Sequence, residues 1–518
     1  MSISSANRQI ARAAGTVMFA ILLGQLAGLA RGILVAQAFG ASPELDAFFA
    51  ANRVSETLFL LVAGGALGSA FIPTFTGLLA KNEKDSAWRL ASSLASAVTL
   101  TLSLLAVLLA IFAPQVVRYA LAPGLFTNPE LFFLTIYLLR IQLMSAVLFG
   151  LGGLIVGVLN AHQVFLIPAL TPAMYQLGII FGAVVLAPFM GIYGLAWGVV
   201  IGAVLYLVVQ VPSLFRLLPH LYPPGRARDP NIRQVLFLML PRLLGVAVVQ
   251  LNFWVNTNLA SGMEEGSVTG LYYGFSLMLM AQSMAIAAMP TFSAQHALGK
   301  IDEMRSSLAA SLRGILMLAL PASVGLILLR EPLVSFLYQR GQFDEHDVQL
   351  VAWALLWYTV GLIGHSIMEV LTRAFYAQQD TKTPVIIGTI AMGLNVLFSI
   401  LFSRFFAQIG WLPLGGLALA NSLATALEAT ALFFVMHRRL HGIEESHITR
   451  GFFIFAIASL GMGIGLWFWI QASVGLMRWA VALGGVALGG IIYGIGLLLL
   501  KVPEFQSVFR FVMGKVRR

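Results

Sequence analysis

The sequence predicts an all-α polytopic membrane protein of about fourteen transmembrane helices, built as two pseudo-symmetric six-helix lobes followed by two C-terminal helices. Three observations carry this. Of the 518 residues, 59% are hydrophobic and only 10% are charged, whereas a water-soluble domain carries about 25% charged residues. Apolar runs of roughly 20 residues, long enough to cross the hydrocarbon as helices, recur from end to end; a barrel would show short alternating strands instead. Second, the two halves repeat. Pro73-Thr74-Phe75-Thr76 returns as Pro290-Thr291-Phe292-Ser293 and Gly124-Leu125-Phe126 as Gly341-Gln342-Phe343, both displaced by about 217 positions, as in a duplicated unit. A third pair slips by one residue: Leu159-Asn160-Ala161 with Pro168, against Phe375-Tyr376-Ala377 with Pro384. Third, the basic residues fall largely on one side of the alternating loops.

Taken in order, the spans are expected near 14–39, 48–79, 87–113, 130–160, 164–188, 191–212, 234–260, 269–293, 307–329, 347–377, 383–406, 412–436, 451–472 and 477–500. The opening Arg8, Arg12 and apolar stretch from Val17 resemble a signal peptide, but the apolar pattern runs on through Gly40, so a retained first helix is expected. Domain bounds follow: 1–215 for the N-lobe, 216–233 for a proline-rich basic linker, 234–440 for the C-lobe, and 441–518 for the last two spans with a basic tail. Those last spans lie outside the repeat, which leaves a substrate-specific role or a packing role.

Alternate loops define two faces. The first receives basic residues such as Lys81, Arg89, Arg226, Lys300, Arg438 and Lys515; the second receives only Arg118, Arg330, Arg340, Arg404 and Arg478. Positively charged loops stay in the cytoplasm, so both termini are expected there. The net charge of +10 is thereby explained by topology and contact with anionic membrane lipid. Nucleic-acid binding is disfavoured because no soluble basic module exists. The absence of cysteine excludes disulfides and thiolate metal sites.

Five arginines fall inside predicted spans: Arg31, Arg53, Arg140, Arg242 and Arg373. Each costs about 2.5–3.5 kcal/mol at the membrane centre, so facing lipid they would cost on the order of ten kcal/mol together. A solvated interior is the expected resolution. Guanidinium binds phosphate through a planar fork and keeps its charge, so such an interior favours an anionic ligand, and a diphosphate head group fits. Arg373, near the end of span 10, has snorkelling as its alternative.

Acids within spans are Glu56, Glu369 and Glu428. Glu56 lies three residues after Arg53 and Glu369 four before Arg373, each pairable across one helical turn. Such a pair is either a neutralised packing element or a gate that opens when ligand competes for the arginine. His365 joins Glu369 and Arg373 on one stripe, as a proton relay or as hydrogen-bonded structure. Gln250, Asn252, Asn256 and Asn258 make span 7 unusually polar, suited to lining a passage or to joining helices. Gly24, Gly28 and Gly32 recur every fourth residue beside Arg31, the pattern of close helix packing or of a bend. His437 and His441 lack partners for a metal site.

No HExxH, GxSxG or Walker loop is present. A transporter without cofactor or metal is expected, driven by a coupling ion, the membrane potential or the substrate gradient. An enzyme acting on a lipid carrier would need an acid or base cluster that the sequence does not offer.

Several stretches resemble the MurJ/MviN family of the multidrug/oligosaccharidyl-lipid/polysaccharide exporter superfamily. They are Gly28-Leu29-Ala30-Arg31, Phe39-Gly40-Ala41, Asp46-Ala47-Phe48-Phe49, Ala70-Phe71-Ile72-Pro73, Ala122-Pro123-Gly124, Leu337-Tyr338-Gln339-Arg340-Gly341, and Arg373-Ala374-Phe375-Tyr376-Ala377 followed by Asp380-Thr381-Lys382-Thr383-Pro384. The resemblance implies a flippase for lipid II, the undecaprenyl-diphosphate-linked peptidoglycan precursor, working by alternating access around a cationic cavity, in company with cell-wall synthesis proteins. It implies that Arg31 is a cavity arginine, Asp46 a family aspartate near the outer side, Arg53 a basic position, and Asn256 a polar position of span 7. The pattern departs at Gly32, Phe59, Ser276 and Leu279, where the family carries charges. Two alternatives stay open: a flippase for another polyprenyl-linked glycan, and an ion-coupled exporter of small amphipathic molecules.

Overall fold

The computed structural model describes residues 3–62, 66–217, 230–286 and 301–506. The described residues are helical throughout, with short turns between helices. Among the described residues, ten helices are long and apolar enough to cross a membrane, or eleven when one bent pair counts as a single span. The figure of fourteen is not confirmed. The seventh expected span forms a helix of 31 residues, Pro230–Ala260, and the eighth one of 20, Ser267–Ile286. The expected linker between lobes and the Pro290-Thr291-Phe292-Ser293 repeat lie mostly or wholly outside the described residues.

By its contacts the chain divides into two compact units, Met1–Val268 with Arg340–Phe343, and Thr269–Gln339 with Asp344–Arg518. The first contains α1 (Ile3–Phe39), α2 (Pro43–Val62), α3 (Ala66–Ala80), α4 (Lys84–Ile111), α5 (Pro129–Ala161), α6 (Leu166–Phe181), α7 (Ile192–Val208), α8 (Val211–Leu217) and α9 (Pro230–Ala260). The sequence assigned α9 to the second lobe, beginning at 234. It groups with the first unit because Val235 and Met239 are buried against Phe71, Phe75 and Trp88 of α3 and α4.

Small residues set the helix spacing in this unit. A Cβ on Gly178 of α6 would lie 2.2 Å from the Gly202 backbone of α7, so the two backbones touch, as membrane helices do in place of a hydrophobic drive. Gly24 and Gly28 of α1 face Pro172, Ala173 and Gln176 of α6 at ordinary contact distance, which is the close-packing reading of that glycine repeat.

The duplicated Gly-x-Phe motif has a structural cause in both copies. Gly124 donates its amide to Ser261 Oγ at 3.2 Å, and a Cβ there would fall 2.0 Å from the Ser261 carbonyl oxygen. In the second copy, Gln342 donates its amide to the Gln37 carbonyl at 3.0 Å. A Cβ on the adjacent Gly341, whose φ is +59°, would lie 2.3 Å from that same oxygen. Each turn thus seats on the second-face end of a helix, α9 for Gly124 and α1 for Gly341, and supplies a donor to the end it covers. Only a residue without Cβ permits the approach.

The second unit holds α10 (Ser267–Ile286, from Thr269 onward), α11 (Ile301–Tyr338), α12 (Glu345–Val360), α13 (Leu362–Ala377), α14 (Lys382–Gln408), α15 (Leu414–Arg439), α16 (Glu445–Ala472) and α17 (Arg478–Leu499). The expected span 347–377 is bent by 49° between α12 and α13. The bend sits at Gly361, where a Cβ would lie 2.5 Å from Ser422 Oγ. The Gly361 amide turns to the Tyr358 carbonyl at 3.0 Å, and Ser422 Oγ serves the Trp357 carbonyl that it leaves, at 2.6 Å, lying 3.2 Å from that of Tyr358. The kink is therefore specified from α15.

The last two helices share the core of this unit. Phe455, Met462 and Leu466 of α16 and Leu497 of α17 are buried with Leu308, Leu312 and Phe375. Tyr493 donates its hydroxyl to the Met317 carbonyl at 2.7 Å. Arg313 of α11, with a side chain 4% exposed, binds Glu504 through Nε at 2.7 Å and Nη2 at 3.2 Å and the His447 carbonyl through Nη1 at 2.7 Å. Burial opposes the charge of Glu504, but the Arg313 bonds outweigh it and hold its carboxyl below the usual range.

Gly124→Ala should destabilise the protein by about 1–3 kcal/mol, the usual cost of overpacking, read as a lowered midpoint in a fluorescence-detected size-exclusion melt. An unchanged midpoint would show that the turn does not seat on Ser261.

Candidate functional site

The first unit brings α2 and α9 together around a polar cluster inside an otherwise apolar packing. Arg53, with a side chain 16% exposed, pairs through Nη1 with Glu56 Oε2 at 3.0 Å, and its guanidinium lies 5.0 Å from the centroid of the Phe253 ring. Its Nε is buried without a hydrogen-bond partner. One turn on, Thr57 Oγ1 lies 2.7 Å from the Arg53 carbonyl and 3.4 Å from Gln250 Oε1, and it accepts the Trp254 indole N–H at 2.8 Å. Arg53, Glu56 and Gln250, expected from sequence, are therefore neighbours. Thr57, Phe253 and Trp254 were not singled out. The available signal was position: Thr57 follows Arg53 by four residues, and Phe253 and Trp254 sit within the polar run of span 7.

Asn252 and Asn256, on the same helix, are buried and bonded within the protein. Asp46, in the first turn of α2, is buried and accepts the Gly266 amide at 2.9 Å through Oδ2. It thereby ties the second-face end of α2 to the turn after α9. Arg31 is half-buried on α1 and has partners in the fold. The side chain of Arg242 lies outside the described residues. Arg140 stands apart from the cluster: it is exposed, and its Nε donates to the Ala110 carbonyl at 3.0 Å.

Phe59, one of the positions where the sequence departs from the expected charge pattern, joins an aromatic cluster with Phe149 and Tyr206, ring centroids 4.7 and 6.2 Å away. Tyr175 extends the cluster from Phe149 at 5.0 Å. The cluster packs α2 against α5, α6 and α7.

In the second unit the predicted stripe of His365, Glu369 and Arg373 does not form one chain of bonds. His365 is buried and its Nε2 lies 3.0 Å from Asn421 Oδ1, while its carbonyl accepts from Gln282 at 3.2 Å. Glu369 instead takes Arg373 through Nε and Nη2 at 3.0 and 2.9 Å, with both side chains partly exposed. Asn421 was not picked out in the sequence, although an asparagine in an apolar span is a signal. Glu428 is buried on α15, close to Gly388 of α14. Ser276 bonds back to the Tyr272 carbonyl of its own helix, and Leu279 is exposed.

The resembling stretch after Arg373 forms a tight corner between α13 and α14. Asp380 Oδ1 caps the Lys382 and Thr383 amides at 3.0 Å each, and Oδ2 takes the Thr383 hydroxyl at 2.6 Å. Arg439 pairs with it at 2.7 Å. What burial there is works against the Asp380 charge, yet the Thr383 and Arg439 bonds prevail and lower its pKa to about 2.

Fold and site together define a polytopic helical membrane protein of two compact units, with charged groups held inside its helical bundles. The chain belongs to the lipid II flippase MurJ family, whose profile matches residues 35–488. It is 33% identical over 479 residues to the lipid II flippase MurJ of Burkholderia cenocepacia, covering 90% of this chain and 89% of that one. Among solved structures, it matches lipid II flippase MurJ in an inward closed conformation with a TM-score of 0.79 and 25% identity, over 96% of this chain and 99% of that one. An inward-facing multidrug transporter of the MATE family shares the fold, with a TM-score of 0.68 at 16% identity over 82% and 96%. The chain is thus a multi-pass protein of the bacterial inner membrane.

Two outcomes follow. Thr57→Val removes the oxygen that serves Trp254 and should cost about 1–3 kcal/mol through the unpartnered indole N–H, read as a lowered melting midpoint; Thr57→Ser should restore it. For Asp380, a depressed pKa means that its stabilising contribution is present above the unfolded value and lost only as pH falls through about 2. The melting difference between wild type and Asp380→Asn should therefore stay constant from about pH 5 to 8, and a difference that shrinks on acidification within that window contradicts the assignment.

Proposed function

We propose that this protein is a flippase that carries lipid II between the leaflets of the inner membrane, with its diphosphate head group held by interior arginines and its polyprenyl tail left in the bilayer. Family membership across most of the chain supports the cargo. One observation carries the anion-binding part: Arg53 is largely buried, paired with a single carboxylate, and keeps its buried Nε without a protein acceptor. A phosphate oxygen arriving there meets an unused donor and competes with Glu56 for the charge. Gln250, Asn252 and Asn256 of α9 and Arg31 of α1 are proposed to serve the same head group. Asp46 and the Glu56 and Glu369 pairs serve the gating that alternating access requires.

The basic first face is assigned to the cytoplasm, which puts both termini there and makes the second face the outer one. With no nucleotide-binding motif in the sequence, the work comes from an ion gradient, the membrane potential or the substrate gradient.

Phe59, Ser276 and Leu279 favour a second reading, since the charges they replace belong to the family's site: a flippase for another polyprenyl-diphosphate-linked glycan. Depletion of the resident lipid II flippase in a rod-shaped bacterium separates the two. The first reading expects rescue of growth by this protein and loss of rescue by Arg31→Glu at unchanged membrane level. Failure of the well-expressed wild type overturns the lipid II assignment, and rescue by Arg31→Glu removes Arg31 from the site.

A further inference from the structure

Arg140 differs from the other arginines at membrane depth. It lies on one exposed stripe of α5 with Phe133, Tyr137 and Met144, positions four, three and four residues apart that share a helix face. The packed neighbour α4 exposes Val107, Leu108 and Ile111 near its end. Apolar surface of this kind meets acyl chains.

The position of the guanidinium is set by a defect in α4. The Ala110 carbonyl would normally accept from residue 114, but that residue is Pro114 and has no N–H. Arg140 Nε fills the vacancy at 3.0 Å, which fixes the plane of the group beside the last turn of α4, the end of a helix long enough to span the hydrocarbon. Among the described residues, none of the ion pairs includes Arg140. A cation without a counter-charge next to hydrocarbon is costly, and the group that meets it at that depth is a lipid phosphate. Its terminal nitrogens offer the planar fork that phosphate takes, and Tyr137, one turn nearer the helix start, offers an exposed phenol.

We propose that Arg140 and Tyr137 form a binding site for the phosphate headgroup of an anionic phospholipid on the outside of the first unit, between α4 and α5. The site shares no bond with the Arg53 cluster. Its assignment to the outer leaflet rests on the orientation given above; the site itself does not. A phosphatidylglycerol phosphate is favoured over a phosphatidylcholine phosphate because no choline cation accompanies it toward Arg140.

Native mass spectrometry of the full chain, released from micelles holding equal amounts of phosphatidylglycerol and phosphatidylcholine, tests this. Wild type should retain phosphatidylglycerol preferentially. Arg140→Gln should lower the retention ratio about fivefold, the effect of one basic residue at a charged lipid surface, and Tyr137→Phe about twofold, with an unshifted melting midpoint for Tyr137→Phe. Equal retention of the two lipids by wild type overturns the proposal, as does an unchanged ratio in Arg140→Gln. If Arg140→Gln does not fold, an unchanged ratio in both Arg140→Lys and Tyr137→Phe overturns it equally. Retention of undecaprenyl phosphate by this site in place of phosphatidylglycerol, lost in Tyr137→Phe, overturns the choice of lipid.

Discussion

A polar group inside a bilayer is costly unless the protein supplies its partner, because lipid tails offer none. That constraint explains most of what distinguishes this chain from a plain apolar bundle. Arg53 takes Glu56, Thr57 serves Trp254, and Asp46 takes the Gly266 amide. In each case the partner comes from the next turn or from an element that must then pack alongside. The polar contacts therefore decide which helices are neighbours, and the apolar contacts decide how closely they approach.

The same accounting governs the backbone. Breaking a helix frees carbonyls, and two breaks among the described residues each recruit a side chain. Ser422 reaches the Trp357 carbonyl freed at Gly361, and Arg140 reaches the one orphaned by Pro114. Arg313 does a comparable service by joining Glu504 and the His447 carbonyl, which locks the last two helices onto the second unit. Of the two roles open to those helices, packing is thus present in the structure; a role toward substrate would be additional to it.

Much of the architecture was legible because membrane helices advertise themselves by length and hydropathy, and because a duplicated chain repeats its constraints. The Gly124 and Gly341 turns were visible as a repeat, and their cause emerged as backbone approaches that exclude a Cβ. The helical pairs Arg53 with Glu56 and Glu369 with Arg373 were readable because their spacing is local. What escaped was long-range. Nothing near Gly361 announces that Ser422 will support a bend there, nothing near His365 points to Asn421, and an arginine's cost of insertion does not reveal which face it takes, as Arg140 shows. The membership of α9 was likewise set by tertiary packing against Phe71 and Phe75, which a count of spans does not encode.

The central claim is that an interior guanidinium with a donor in reserve recognises a lipid-linked diphosphate. Equilibrium binding of undecaprenyl diphosphate to the purified protein, followed by microscale thermophoresis for wild type, Arg53→Gln and Arg53→Lys, addresses it most directly. The account predicts saturable binding that weakens about tenfold or more in Arg53→Gln, as loss of a charge-assisted bond implies, and that Arg53→Lys restores only in part. Equal affinity in all three proteins would contradict it.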